Sequence, residues 1–422
     1  MDLNLARYID KWVGLVICLV LFAWERATRR WHGRAIQALS STTPPALGEP
    51  PIEPRRVLCM KFYGLGNAIM LIPVLEAVRR RWPGVEIDFL TMPGNVALLE
   101  RSGVVTAAYA VDTTNLARFL STFWAALRKV RARRYDTVLD FEQFVKISSI
   151  IAFLSGARER IGFNTDGQRR GFMYTRRVVY TDSDHMSAIF ARLTRPLGVT
   201  GPLPECRLPL ADAERRKARD FLAQAGVAPD HFPIVAIHLG IGMNFYRVPL
   251  KRWAPANFAA LADALAERHG AAVVFTGQGA EERELIAEAR RHMRRPAIDA
   301  GDRFSVTELA ALVDHCHFVV ANDTSVMHLA ALMGTPVVAI FGPTAPLHYG
   351  PRGDRNLVFY RDLYCSPCLT NYNLKVSRCL DNVCMRGITP DAVLEAITGQ
   401  YLGERATHRE WLAGRARGAR AA

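Results

Sequence analysis

VVANDTSVMHLAALMGTPVVAIFGPTAPLHYGP, residues 319–351, holds two short apolar runs, each ending in a cluster of small and polar residues. A plain strand-to-helix junction needs one capping residue. The first cluster offers Asn322, Asp323, Thr324 and Ser325, with His328 one turn further on. The second offers Gly342, Pro343 and Thr344. Strand, polar turn, helix, strand, polar turn is the grammar of a parallel sheet whose loops carry function. Asp323 and Thr324 fall where a helix begins, and a helix N-terminus with its free N–H groups seats phosphate.

The same alternation runs outward from this stretch. RVLCMKF, VEIDFLT and YDTVLDFEQF read as strands in the first half, with helices between them. FPIVAIHLG, AAVVFTG, FVVAND and PVVAIFG read as strands in the second. Strands alternating with helices predict parallel sheets covered on both faces. With 422 residues the chain suits two such domains facing a cleft, with ligands at the carboxyl ends of the strands. Residues 55–210 form the expected first Rossmann-like domain and 211–400 the second, and residues 401–422 form a basic tail.

Net charge is +14, and half the residues are hydrophobic. A basic balance suits nucleic acid, an anionic membrane face or phosphorylated substrates. No RNP, zinc-finger or helix-turn-helix pattern is present, so no nucleic-acid partner is expected. WVGLVICLVLFAW, residues 12–24, is apolar throughout and ends in Trp on both sides. It is shorter than the ~20 residues of a spanning helix. Being apolar all round, it does not read as a surface-lying amphipathic helix. Arg26, Arg29, Arg30 and Arg34 follow it, against Arg7 and Lys11 before it. This bias predicts a membrane-anchoring segment over residues 1–40, re-entrant or short and tilted, with the bulk of the chain on the cytoplasmic side. Residues 41–54 read as a Pro-rich linker.

NDTSVMHLAALMGTPVVAIFGPTAPLHYGP resembles the signature of glycosyltransferase family 9, the ADP-heptose:lipopolysaccharide heptosyltransferases. VLCMKFYGLGNAIMLIPVLEAVRRRWPGVEIDFLT resembles that family's opening strand, loop, helix and strand. The resemblance spans Arg55 to about Ile397. It implies a GT-B fold and an inverting, metal-independent transfer from a nucleotide-sugar, by default ADP-heptose. The implied acceptor is a lipid-linked or lipopolysaccharide-type glycan at the cytoplasmic face of a bacterial inner membrane. By position, Gly240 in HLG matches a donor loop and Lys251 a lysine on donor phosphate. Glu281 matches an acid holding the ribose, and Asp323 matches the aspartate of NDTG, with Ser325 in place of that Gly. With Thr324, His328, Gly342 and Thr344 these make the expected donor site.

Asn67 departs from the family pattern. The resemblance places an Asp there as general base, and Asn cannot take a proton. Glu142 in DFEQF, at the third strand's end, is the favoured replacement, with Asp140 two residues earlier and His185 as further candidates. Loss of the Asp also leaves open a sugar-nucleotide-binding scaffold, or an epimerase of the same fold. Cys365, Cys368, Cys379 and Cys384 are spaced for a structural Zn or Fe, for free thiols, or for disulfides. Some relatives that glycosylate autotransporters hold iron through cysteines. No cofactor is expected for catalysis.

Overall fold

A computed structural model describes residues 3–31, 51–241, 250–373 and 375–403. Most of the expected linker, and the basic tail beyond Gly403, lie outside the described residues, as do the side chains of Arg7, Arg26, Arg29 and Arg30. The chain divides into two compact units, Met1–Pro204 and Glu205–Ala422.

The first unit runs α1 (Leu3–Trp31), β1 (Arg56–Met60), α2 (Leu65–Arg81), β2 (Glu86–Thr91), α3 (Pro93–Arg101), β3 (Ala107–Ala110) and α4 (Leu116–Arg133). It continues with β4 (Thr137–Asp140), α5 (Lys146–Leu154), β5 (Glu159–Asn164), a 3-10 turn at Gly171–Met173, β6 (Arg176–Val179) and α6 (Met186–Ala191). Its sheet is wholly parallel, in the order β3-β2-β1-β4-β5-β6. Val57, Leu58, Cys59 and Met60 are fully buried, as strands covered on both faces must be.

The second unit runs α7 (Asp212–Gln224), β7 (Ile234–His238), α8 (Pro255–His269), β8 (Ala272–Thr276), α9 (Gly279–His292), β9 (Ile298–Asp299) and α10 (Val306–His315). Then come β10 (Phe318–Asn322), α11 (Ser325–Leu332), β11 (Val337–Ile340), α12 (Pro346–Tyr349), β12 (Leu357–Phe359), α13 (Val383–Arg386) and α14 (Pro390–Tyr401). Its parallel sheet has the order β12-β11-β10-β7-β8-β9. Local chemistry sets several boundaries. Ser305 and Glu308 form a reciprocal capping box on α10. Pro255 opens α8 and Gly270, in the left-handed region, closes it. Trp253, fully buried, donates from Nε1 to Ile388 O and so joins the entrance of α8 to the segment before α14.

Each sheet reverses its order once, between β1 and β4 and between β7 and β10. Helices cross to opposite faces at such a point and leave a crevice beyond the strand ends. Met60 lies opposite Asp140 in the first unit, and Ala321 opposite His238 in the second. The motifs singled out in the sequence therefore meet in pairs.

α1 spans most of the expected anchoring segment. Its inner side packs on the first unit, with Cys18 fully buried beside Ile150, Phe153 and Met173. Among the described residues no helix is long and apolar enough to cross a membrane.

Candidate functional site

In the second unit, Asn322 ends β10 and clasps three segments. Its Oδ1 accepts from Trp253 N at 3.0 Å, and its Nδ2 donates to Leu239 O at 2.9 Å. The next residue, Asp323, is buried. Its Oδ2 lies 2.6 Å from Lys251 Nζ and accepts from Thr344 Oγ1 at 2.8 Å. Burial alone would raise this carboxyl. The charges of Lys251 and Lys375, with hydrogen bonds from Lys251 and Thr344, outweigh it and hold the group below its ordinary value. Asp323 thus stays ionised and aims the Lys251 ammonium.

Thr324 is the N-cap of α11, yet its side chain caps nothing. Its Oγ1 is buried and has no hydrogen-bond partner. A hydroxyl in that state costs free energy unless a ligand meets it. Ser325, the first residue of α11, and the free N–H groups of the first turn share the spot, and His328 is buried one turn on. A buried hydroxyl, a helix N-terminus and an aimed ammonium together form a seat for a diphosphate.

Gly240 and Gly342 answer to protein neighbours. A Cβ at Gly240 would stand 1.9 Å from Glu282 Oε1, and one at Gly342 would stand 2.4 Å from Met385 Sδ. Glu281 is mostly exposed and pairs with Arg252 at 2.6 Å. Its neighbour Glu282 is the acid at the HLG loop, with Oε1 3.7 Å from His238 Nε2 and Oε2 accepting from Gln278 N. Burial lowers the His238 pKa against the opposing pull of Glu282. Glu282 escaped the sequence reading because two adjacent acids in GAEERE differ only in helical phase.

The segment carrying the cysteine cluster clamps the GPT turn. Cys368 N and Leu369 N both donate to Pro343 O, and Ser366 Oγ donates to Gly342 O. All four thiols are free, with Cys365 exposed and Cys384 buried. Cys379 Sγ donates to Asp381 O, and Cys368 Sγ accepts from Ser377 Oγ. Four thiolates around one ion need sulfurs at about 2.3 Å from it. Among the described residues no three His, Cys, Asp or Glu side chains gather that way, so the residues present do not fit the expected ion.

In the first unit, Gly64 takes φ +89°, and a Cβ there would meet Asn67 Nδ2 at 2.8 Å. Only glycine turns this corner. Asn67 Nδ2 donates back to Tyr63 O, which fixes the GLGN loop at the start of α2. Glu142 lies just past β4 and is 2 % exposed. Its Oε2 pairs with Lys61 Nζ at 2.9 Å, and its Oε1 accepts from Phe62 N at 2.7 Å and Tyr63 N at 3.3 Å. Glu142 braces the corner that leads into the GLGN loop. Lys61, missed in the sequence as the last polar letter of a strand, also donates to Gln143 Oε1.

Asp140 is fully buried, 2.6 Å from both Arg170 Nη2 and Tyr174 OH. Burial raises its carboxyl, with Arg170 opposing. Its contacts are to the protein's own Arg170 and Tyr174. His185 caps α6: its Nδ1 accepts from Ser187 N at 3.3 Å and sits 2.8 Å from Ser187 Oγ. Phe190 of α6 packs under Lys61 and Phe141, while Trp82, just past α2, donates to Leu197 O beyond α6. The two helices run the same way, so the His185 cap stands at the end of the unit that holds Asn67 and Glu142.

Each unit is doubly wound, with its polar clusters beyond the carboxyl ends of the strands. The chain belongs to glycosyltransferase family 9 (heptosyltransferase), whose model matches residues 123–376. It is 22% identical to lipopolysaccharide heptosyltransferase 3 of Escherichia coli over 311 residues, 72% of this chain and 88% of the relative. It is 31% identical to lipooligosaccharide heptosyltransferase 2 of Haemophilus influenzae over 300 residues, 69% of this chain and 84% of the relative. The solved E. coli ADP-heptose lps heptosyltransferase II shares the fold, at TM-score 0.65 and 20% identity, over 82% of this chain and 98% of that one.

Proposed function

We propose that this glycosyltransferase moves heptose from ADP-heptose onto a lipopolysaccharide-type acceptor at the cytoplasmic face of the inner membrane, with inversion and without a catalytic metal. The names of its relatives support the donor and the acceptor class. The observation that carries the reading is the buried, unpartnered Thr324 hydroxyl at the start of α11, beside the Lys251–Asp323–Thr344 group.

The residues then divide the work. The diphosphate gains charge as the glycosidic bond breaks, and Lys251 with the α11 terminus meets that charge in place. Asp323 and Thr344 keep Lys251 aimed. Glu281 or Glu282 holds the nucleoside end. In the first unit, Asn67 and the braced GLGN loop orient the acceptor hydroxyl for attack from the face opposite the leaving group. Glu142 acts on rate through the loop it holds, and the acceptor proton passes to solvent water as the new glycosidic bond forms and the bond to the diphosphate breaks.

Calorimetry on the intact chain tests the donor. ADP-heptose should bind, and UDP-sugars should bind far more weakly. Thr324→Val keeps the shape and removes the hydroxyl, so it should weaken ADP-heptose about ten- to a hundredfold, the usual worth of a hydrogen bond to a charged group. Equal affinity in the variant, or a preference for UDP-sugars, would sink this assignment.

A further inference from the structure

We propose that the first unit docks on an anionic bilayer through two helix faces at once, those of α1 and α4. This rests on the reading of a membrane-held acceptor and deepens it.

α1 is pinned to the unit along one side. The Asp10 carboxylate accepts from Lys146 N and Ile147 N at 2.9 Å, which caps the start of α5. Gly14 leaves room for Lys146, whose Cβ would stand 3.2 Å from a Cβ there. Phe22 packs on Phe172 at 5.1 Å between ring centroids. On the other side Trp12, Val13, Val16 and Val20 are each more than half exposed, as is Trp24.

α4 repeats the pattern. Phe123, Leu127 and Val130 point into the core. Leu116, Leu120 and Trp124, four residues apart along one stripe, are 57, 46 and 56 % exposed. The same stripe continues into Arg128 and Arg131, both exposed. The connections β3→β4 and β4→β5 advance in one direction across the sheet, so right-handed crossovers place α4 and α5 on one face. α1 packs on α5, and two apolar stripes therefore share one side of the unit.

The chemistry selects a bilayer as the occupant. Trp at both ends of the α1 stripe suits the headgroup boundary. Lys11 beside Trp12, and Arg128 and Arg131 beyond Trp124, place cations at the margins of the apolar stripes, where anionic headgroups would meet them. A symmetric contact with a second copy would bring these same cations together. Asp10 caps a helix that starts four residues after Glu142, so bilayer contact and the acceptor end of this unit form one rigid piece.

Flotation of the full chain with phosphatidylcholine vesicles, with and without phosphatidylglycerol, tests this. The wild type should float with the anionic vesicles and less with the neutral ones. Leu120→Glu with Trp124→Glu, on exposed positions of α4 alone, should lower partitioning at least tenfold, since each buried apolar side chain carries that order of effect. Unchanged partitioning of the variant would overturn the role of α4. A wild type that ignores vesicles and scatters light as a dimer, with a monomeric variant, would assign the face to a second copy and overturn the proposal. Turnover on a deacylated, water-soluble acceptor separates the two readings. Retained turnover with lost flotation strengthens docking, and vesicle binding without any transfer removes the proposed function while docking stands.

Discussion

Lys251→Ala should lower turnover by about 10²–10³ and raise the donor KM as well. Removing one preorganised donor aimed at developing charge has that order of effect. The ammonium stands 2.6 Å from Asp323 Oδ2, and the unpartnered Thr324 hydroxyl is the next residue along the chain. Its charge attracts the diphosphate in the ground state and more strongly as the leaving group departs, so both constants move. Lys251→Arg should recover part of the affinity and little of the rate, because a planar fork cannot reproduce a point charge at this spacing. Steady-state kinetics on the three proteins checks this. A Lys251→Ala enzyme with wild-type turnover would remove Lys251 from the chemistry.

The second large effect is on stability. Glu142→Gln should destabilise the protein by about 3–5 kcal/mol, because it strands the buried Lys61 ammonium. Lys61→Met should cost a similar amount by stranding Glu142. The double variant should be far milder than the sum, since it removes both charges together. Thermal or urea unfolding of the four proteins measures the cycle. Turnover gives the functional half. If Glu142 braces the corner, the double variant regains much of the rate that either single variant loses. If Glu142 takes the acceptor proton, the double variant stays as slow as Glu142→Gln however stable it becomes.

Much of this architecture was legible in the chain. The two strand series and the polar turns at strand ends follow from period and punctuation, which are local properties. Asp323, Thr324 and Thr344 stand out because strand ends and a helix start announce them, whereas Lys251 is pointed to by the family resemblance alone. Partnership across the chain was not. Lys61 and Glu142 are 81 residues apart, and nothing local says that one neutralises the other. Glu142 and Asp140 looked like free carboxylates because exposure cannot be read from a strand's last letters. The sequence does not show that Glu282 stands against the glycine at 240 and Met385 against the one at 342. The four cysteines have a metal-like spacing, but the path of the loop decides where each sulfur goes. α1 reads as apolar all round because one side meets protein and the other faces outward, and composition does not distinguish the two.

The proposed reaction passes the sugar of a nucleotide-sugar, held at the second unit's seat, to a glycan. Its most direct test is ADP release from ADP-heptose, measured with and without a heptose-deficient lipopolysaccharide core and followed by mass analysis of the glycan. Release that depends on the acceptor, with one heptosyl residue added to the core in the opposite anomeric configuration, is the predicted result. ADP-heptose that binds but is only epimerised or hydrolysed, at a rate indifferent to the acceptor, would contradict it.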